Sequence, residues 1–253
     1  MQWVKHHGRR TAYRKRARTT GTPVVYVHGS GATHEAWASQ FAIAGERPVV
    51  ALDLSGHGAS DPLPAGCAPG SETLAAYVKD VAAVYQAVEA GAIVGVSLGG
   101  AVALQAIAEG HIAPVATVVT GTAPQMPIDA PLEHALTTGL TRTMAELGRP
   151  GRLFADPTDK LMQATSDVFA AEGIEELRRD FETAAAFGLP EDRITVPTTV
   201  IAGAEDQLVP LAAQQQLAIT LPQAGLVVLP DAAHLAMIEQ PQRFQRATRQ
   251  ALV

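Results

Sequence analysis

The chain has 253 residues, 47% of them apolar and 17% charged, with a formal net charge of −6 at pH 7. That is ample material for a core, which excludes wholesale disorder, and the length fits one α/β domain carrying an insertion. The single cysteine, Cys67, excludes an internal disulfide scaffold and any cysteine-rich metal site.

The first ten residues are polar and basic, without the apolar stretch of a signal peptide. Residues 1–18 hold Lys5, Arg9, Arg10, Arg14, Lys15, Arg16 and Arg18 and no acidic side chain. Such a run reads either as a nucleic-acid-binding arm or as a terminal β-hairpin, turning near Gly8, whose charges guard a sheet edge. The hairpin is expected, and no nucleic-acid partner, because the acidic remainder of the chain repels phosphates.

From residue 24 onward, short and nearly continuous apolar runs alternate with helical stretches. The expected strands are Val24–Val27, Pro48–Leu52, Ile93–Val96, Val115–Val119, Thr198–Ala202 and Leu226–Leu229. Unbroken apolarity is what parallel strands covered on both faces require. Leu74, Tyr77, Val78, Val81, Val84, Tyr85 and Val88 fall at three- and four-residue spacing and predict an amphipathic helix. Further helices are expected after Ser97, near 210–220 and near 239–252. This alternation predicts an α/β fold, a mostly parallel central sheet flanked by helices. The most apolar run, 91–108, contains Ser97, Gln105 and several glycines and reads as a buried strand turning into a helix rather than a membrane span. No membrane association is expected, and a cytoplasmic location. Residues 125–193 break the rhythm, with helical segments near 132–147, 159–171 and 174–187 punctuated by prolines. They read as a helical cap inserted after the sixth strand, leaving 1–124 and 194–253 as the core domain.

The chemistry concentrates where strands end. Gly95-Val96-Ser97-Leu98-Gly99-Gly100 lies where an apolar strand gives way to an Ala/Leu helix, and a nucleophile on so sharp a turn needs small neighbours. A serine hydroxyl needs a base, and His234 falls on a loop after an expected strand, at the carboxyl edge where parallel sheets place their sites. Asp206 follows another strand on the same edge and is placed to hold the imidazole tautomer. His28-Gly29-Ser30-Gly31 follows the first buried strand; the amides of Ser30 and Leu98 are the candidate oxyanion donors. Gly29, Gly31, His34 and, from the cap, Met126 and Met144 are the candidate substrate contacts. Methionine and phenylalanine in the cap suggest an apolar, adaptable pocket.

Taken in order, these segments resemble the α/β-hydrolase superfamily from about residue 22 onward. His28-Gly29-Ser30-Gly31 is similar to its HGxG oxyanion segment, and Asp53-Leu54-Ser55-Gly56-His57-Gly58-Ala59-Ser60 to its DxxGHGxS turn. Gly95 to Gly100 resembles the nucleophile elbow; Gly203-Ala204-Glu205-Asp206, and His234 with Glu239 and Pro241, resemble the acid and histidine segments. The resemblance implies the α/β-hydrolase fold with a capped serine esterase or lactonase activity and a Ser97–His234–Asp206 triad. No metal ligand set or dinucleotide fingerprint is present, so no cofactor is expected. The expected substrate is a short- to medium-chain, apolar carboxylic ester. Enol-lactone hydrolysis, carbon–carbon hydrolysis and a perhydrolase-type side activity share the same triad, and a ligand receptor built on a hydrolase fold is a more distant alternative.

Overall fold

A computed structural model describes residues 1–16, 21–42 and 47–252. Eight strands form one sheet in the order β1-β2-β4-β3-β5-β6-β7-β8. β1 (Gln2–His6) and β2 (Arg9–Arg16) form an antiparallel hairpin, and β2 pairs antiparallel with β4 (Val49–Leu52). β3 (Val24–Val27), β4, β5 (Ala92–Val96), β6 (Ala116–Thr120), β7 (Thr198–Gly203) and β8 (Ala224–Leu229) are parallel. The basic segment is thus a hairpin, turning through His7 and Gly8, both at positive φ. Several of its cations are held within the chain, Arg14 and Arg16 against Phe41 among them. Arg9 is buried against Asp80 and Ser55, and Arg10 pairs with Asp61 at 2.8 Å. Arg18 lies outside the described residues.

Period-two alternation sends successive strand residues to opposite faces. Val25, Val27, Val50, Leu52 and Ile93 pack on one side against α2 (Ser71–Ala87), α3 (Leu98–Ala108) and α8 (Leu211–Thr220). Val24, Tyr26, Val49 and Ala51 pack on the other with Trp37, Phe41 of α1 (Ala38–Ala42) and Phe244 of α10 (Pro241–Ala251). The apolar stripe read from Leu74 to Tyr85 is the buried face of α2. The last helix begins at Pro241 rather than near 239, because proline suits the first helical position and the short α9 (Ala236–Glu239) precedes it.

Between β6 and β7 stand α4 (Ala130–Thr138), α5 (Leu140–Leu147), α6 (Asp159–Glu172) and α7 (Ile174–Ala185). The single helix expected over 132–147 is in fact two. Gly139 adopts φ +127, a conformation closed to L side chains, and breaks it. These helices have a core of their own, including Leu132, Leu147, Phe154, Phe169, Leu177 and Phe181. The segment leaves and rejoins the sheet at one place: Gln125 and Gly188 form an antiparallel bridge, and the Leu189 amide donates to the Pro124 carbonyl at 2.9 Å. No helix among the described residues is long and apolar enough to cross a membrane.

Candidate active site

β5 ends at Val96 and α3 starts at Leu98, so Ser97 is the whole turn, at φ +54 and ψ −122. A non-glycine residue there is strained, and the surroundings must hold it. The Ser97 amide donates to the Thr120 carbonyl at 2.8 Å, while its carbonyl accepts from Gly100, Ala101 and the Thr122 hydroxyl. Gly99 has no room for a side chain: a Cβ would stand 2.3 Å from the His28 carbonyl oxygen. The elbow and the His28 loop are therefore pressed together, backbone to backbone.

His234 and Asp206 come from the loops after β8 and β7. The imidazole Nδ1 lies 3.0 Å from Asp206 Oδ2, and both side chains are buried. The other carboxylate oxygen accepts from the Leu208 and Val209 amides at 2.9 and 2.8 Å. Gln214 completes the set. Its Nε2 donates to Asp206 Oδ2 at 3.0 Å and its Oε1 accepts from the Gly121 amide. Nothing in the sequence pattern singled out Gln214, one of three consecutive glutamines on α8. The imidazole also lies against Gly121, where a Cβ would be 2.6 Å from its Cε1. Glu239 braces the histidine loop by accepting from the Ala233 and Ala155 amides, and burial raises its pKa.

The oxyanion segment is also held from behind. The Gly29 carbonyl accepts from His28 Nδ1 at 2.8 Å, while His28 Nε2 accepts from the Leu54 amide at 3.0 Å. This pattern defines a neutral imidazole, and burial, with the neighbouring His57, pushes its pKa down to about 4. Because Gly29 C=O and Ser30 N–H share one peptide plane, fixing the carbonyl fixes the opposite direction of the amide. Among the described residues neither the Ser30 nor the Leu98 amide donates to a protein group. The Ser30 hydroxyl is likewise buried without a partner.

Ser97, His234, Gly29 and Ser30 line one cavity of about 50 Å³, closed by Leu147, Leu153, Phe169, Phe181, Leu208 and Met237. Among the described residues no acidic residue, lysine or arginine lines it. Several expected substrate contacts lie elsewhere. Gly31 faces Leu177 and gives its amide to Asp180. His34 is turned away, with Nδ1 2.8 Å from Asp53 Oδ1; despite burial, its hydrogen bonds hold that carboxyl below the usual range. Met126 is packed in the α2–α3 core and Met144 lies on the outer groove between α5 and α6. Apolar composition marked these methionines as lining residues, but composition does not tell a helix's inner face from its outer one.

The fold and the family match define a hydrolase. The chain belongs to the alpha/beta hydrolase family, whose sequence profile matches residues 24–247. It is 32% identical over 251 residues to the 2-hydroxymuconate semialdehyde hydrolase of Pseudomonas putida, an alignment covering 89% of this chain and 85% of that one. Among solved structures, a thermophilic esterase superposes with a TM-score of 0.85 at 25% identity, over 98% of this chain and 95% of that one. The enol-lactonase from Burkholderia xenovorans LB400 superposes with a TM-score of 0.83 at 22% identity, over 99% of both chains, which is a likeness of fold.

Proposed function

We propose that this protein is a serine hydrolase that cleaves small, uncharged carboxylic esters through an acyl-enzyme on Ser97. One observation carries the reading: Ser97 and the Asp206-bound His234 open onto a cavity whose lining is apolar and free of ionic side chains. His234 takes the Ser97 proton as Oγ attacks the ester carbonyl, and Asp206 keeps the proton-bearing Nδ1 fixed. The developing oxyanion lies against the Ser30 and Leu98 amides. His234 then returns the proton to the departing alcohol, and water, activated by the same imidazole, releases the acid. No step calls for a metal or cofactor. The helices of 125–193 act as a cap on the core formed by 1–124 and 194–253. With the cap seated, the cavity is far below the roughly 300–1,000 Å³ of ordinary ligand sites, which favours a short acyl group.

The semialdehyde hydrolase relative brings carbon–carbon cleavage into consideration. A muconate-derived substrate is anionic, and the absence of a lysine or arginine from the lining favours the ester. The test is hydrolysis of p-nitrophenyl esters from acetate to decanoate by the unaltered protein and by Ser97→Ala. Turnover should peak at the short chains and fall by about 10⁴ or more in the variant. Faster cleavage of 2-hydroxymuconate semialdehyde than of any ester would overturn the ester reading.

A further inference from the structure

Asp180 is the one carboxylate of the helical segment that is fully enclosed, at 0% exposure. It sits on α7 among Leu177, Phe181 and Ala184, an apolar stripe where a charge is costly unless it is paired and hydrogen-bonded. It has three partners from three other parts of the chain. Oδ2 accepts from the Gly31 amide at 2.8 Å and lies 3.0 Å from His57 Nε2; Oδ1 accepts from Tyr77 Oη at 2.7 Å. Gly31 is the last residue of the oxyanion segment. Its φ is +63, and a Cβ there would be 2.5 Å from Leu177 of the same helix. His57 in turn faces His28, ring centroids 5.1 Å apart, and His28 holds the Gly29 carbonyl.

We infer that Asp180 is a positioning residue for the oxyanion hole: by accepting from Gly31 and pairing with His57, it fixes both ends of the segment that presents the Ser30 amide. The inference rests on the acyl-enzyme reading above. Its consequence is a coupling between the helical segment and the chemistry, because α7 must be seated for Asp180 to reach Gly31. Asp180 touches no reacting atom. The groups facing His57 are Asp180 from α7, Glu172 from α6 and His28, with Tyr77 from α2, while Asp53, after β4, acts on His28. Glu172 accepts from the Gly58 amide at 3.1 Å and does not touch the oxyanion segment. Its loss removes a contact of the helices and a more distant charge acting on His57 but leaves the Asp180–Gly31 bond in place.

The measurement is kcat and KM for a short p-nitrophenyl ester, with the affinity for a trifluoromethyl ketone that mimics the tetrahedral adduct, in Asp180→Asn, Glu172→Gln and Ser97→Ala. Asp180→Asn keeps the shape and loses the charge. It should lower kcat about tenfold or more with KM within about twofold, and weaken the ketone by the same factor as kcat/KM. Glu172→Gln should leave kcat within about twofold. Wild-type kcat in folded Asp180→Asn, or equal losses in Asp180→Asn and Glu172→Gln, would overturn the inference while leaving the ester reading intact. If Asp180→Asn does not fold, His57→Gln replaces it, removing one of the two contacts through which Asp180 acts; an unchanged ketone affinity there would be equally decisive. Absence of Ser97-dependent turnover in the unaltered protein would overturn the ester reading and the inference together.

Discussion

At the scale of the residue, the proposed chemistry rests on side chains whose placement is set by what stands behind them. Asp206 divides its two oxygens between backbone amides on one side and His234 with Gln214 on the other. Gln214→Ala leaves the Gly121 amide and one carboxylate lone pair without a partner, a loss of about 1–3 kcal/mol. The expected result is a lower melting temperature and a reduced kcat with KM little changed; an unaltered kcat would remove Gln214 from the aspartate's support. Activity should also fall toward acid pH, since a protonated His234 cannot accept the serine proton. A flat rate profile from pH 5 to 9 would count against His234 as base. Ser97, Asp206 and His234 are legible because each stands at a short, fixed spacing from a strand end. Gln214 and Asp180 are not, because their partners are distant in sequence and pairing across such a distance leaves no local pattern. Asp180 does leave a trace: it interrupts an apolar stripe at three- and four-residue spacing.

At the scale of the element, the alternation of apolar runs and helices was sufficient to read the parallel strands, and the departures have definite causes. β8 is as apolar as the inner strands, yet Leu226 and Val228 are 37% and 39% exposed because β8 is an edge. An apolar run reports what a strand carries, not what covers it. The expected helix over 132–147 failed at Gly139, since helical periodicity persists across a break that keeps phase. Gly139→Ala forces a side chain into a disfavoured conformation and should destabilise by about 1 kcal/mol or more. Limited proteolysis should show faster cutting within 125–193 and unchanged resistance in the sheet; cutting at the unaltered rate would mean that the break does not need glycine.

At the scale of the whole molecule, two buried imidazoles set opposite limits on pH stability. Burial alone would lower the pKa of His57, but the charge of Asp180, 3.0 Å away, outweighs it and pushes it up to about 9. A raised folded-state value contributes stability that is complete below the unfolded value near 6.5 and is lost as pH rises toward 9. His28, at about 4, behaves oppositely: the unfolded chain takes up its proton first, so stability is lost as pH falls from about 6.5 toward 4. Thermal denaturation across pH 4 to 9.5 should therefore give a maximum near neutrality, and His57→Gln should flatten the alkaline limb and, by removing one cause of the lowered His28 value, soften the acid limb. A melting temperature that keeps rising from pH 7 to 9 would contradict the assignment.

The bridge between Gln125 and Gly188 has a consequence for how such a protein can diversify. The two points where the helical segment departs from the sheet are neighbours on one ladder, about 5 Å apart, so a different segment of any length could be spliced there without stretching a strand. A transplanted module would meet one stringent condition of ancestry: it must bring its own buried acid to Gly31 and His57. Chimaeras that satisfy it should inherit the donor's substrate preference on this chain's catalytic frame, and those that lack it should fold yet remain slow.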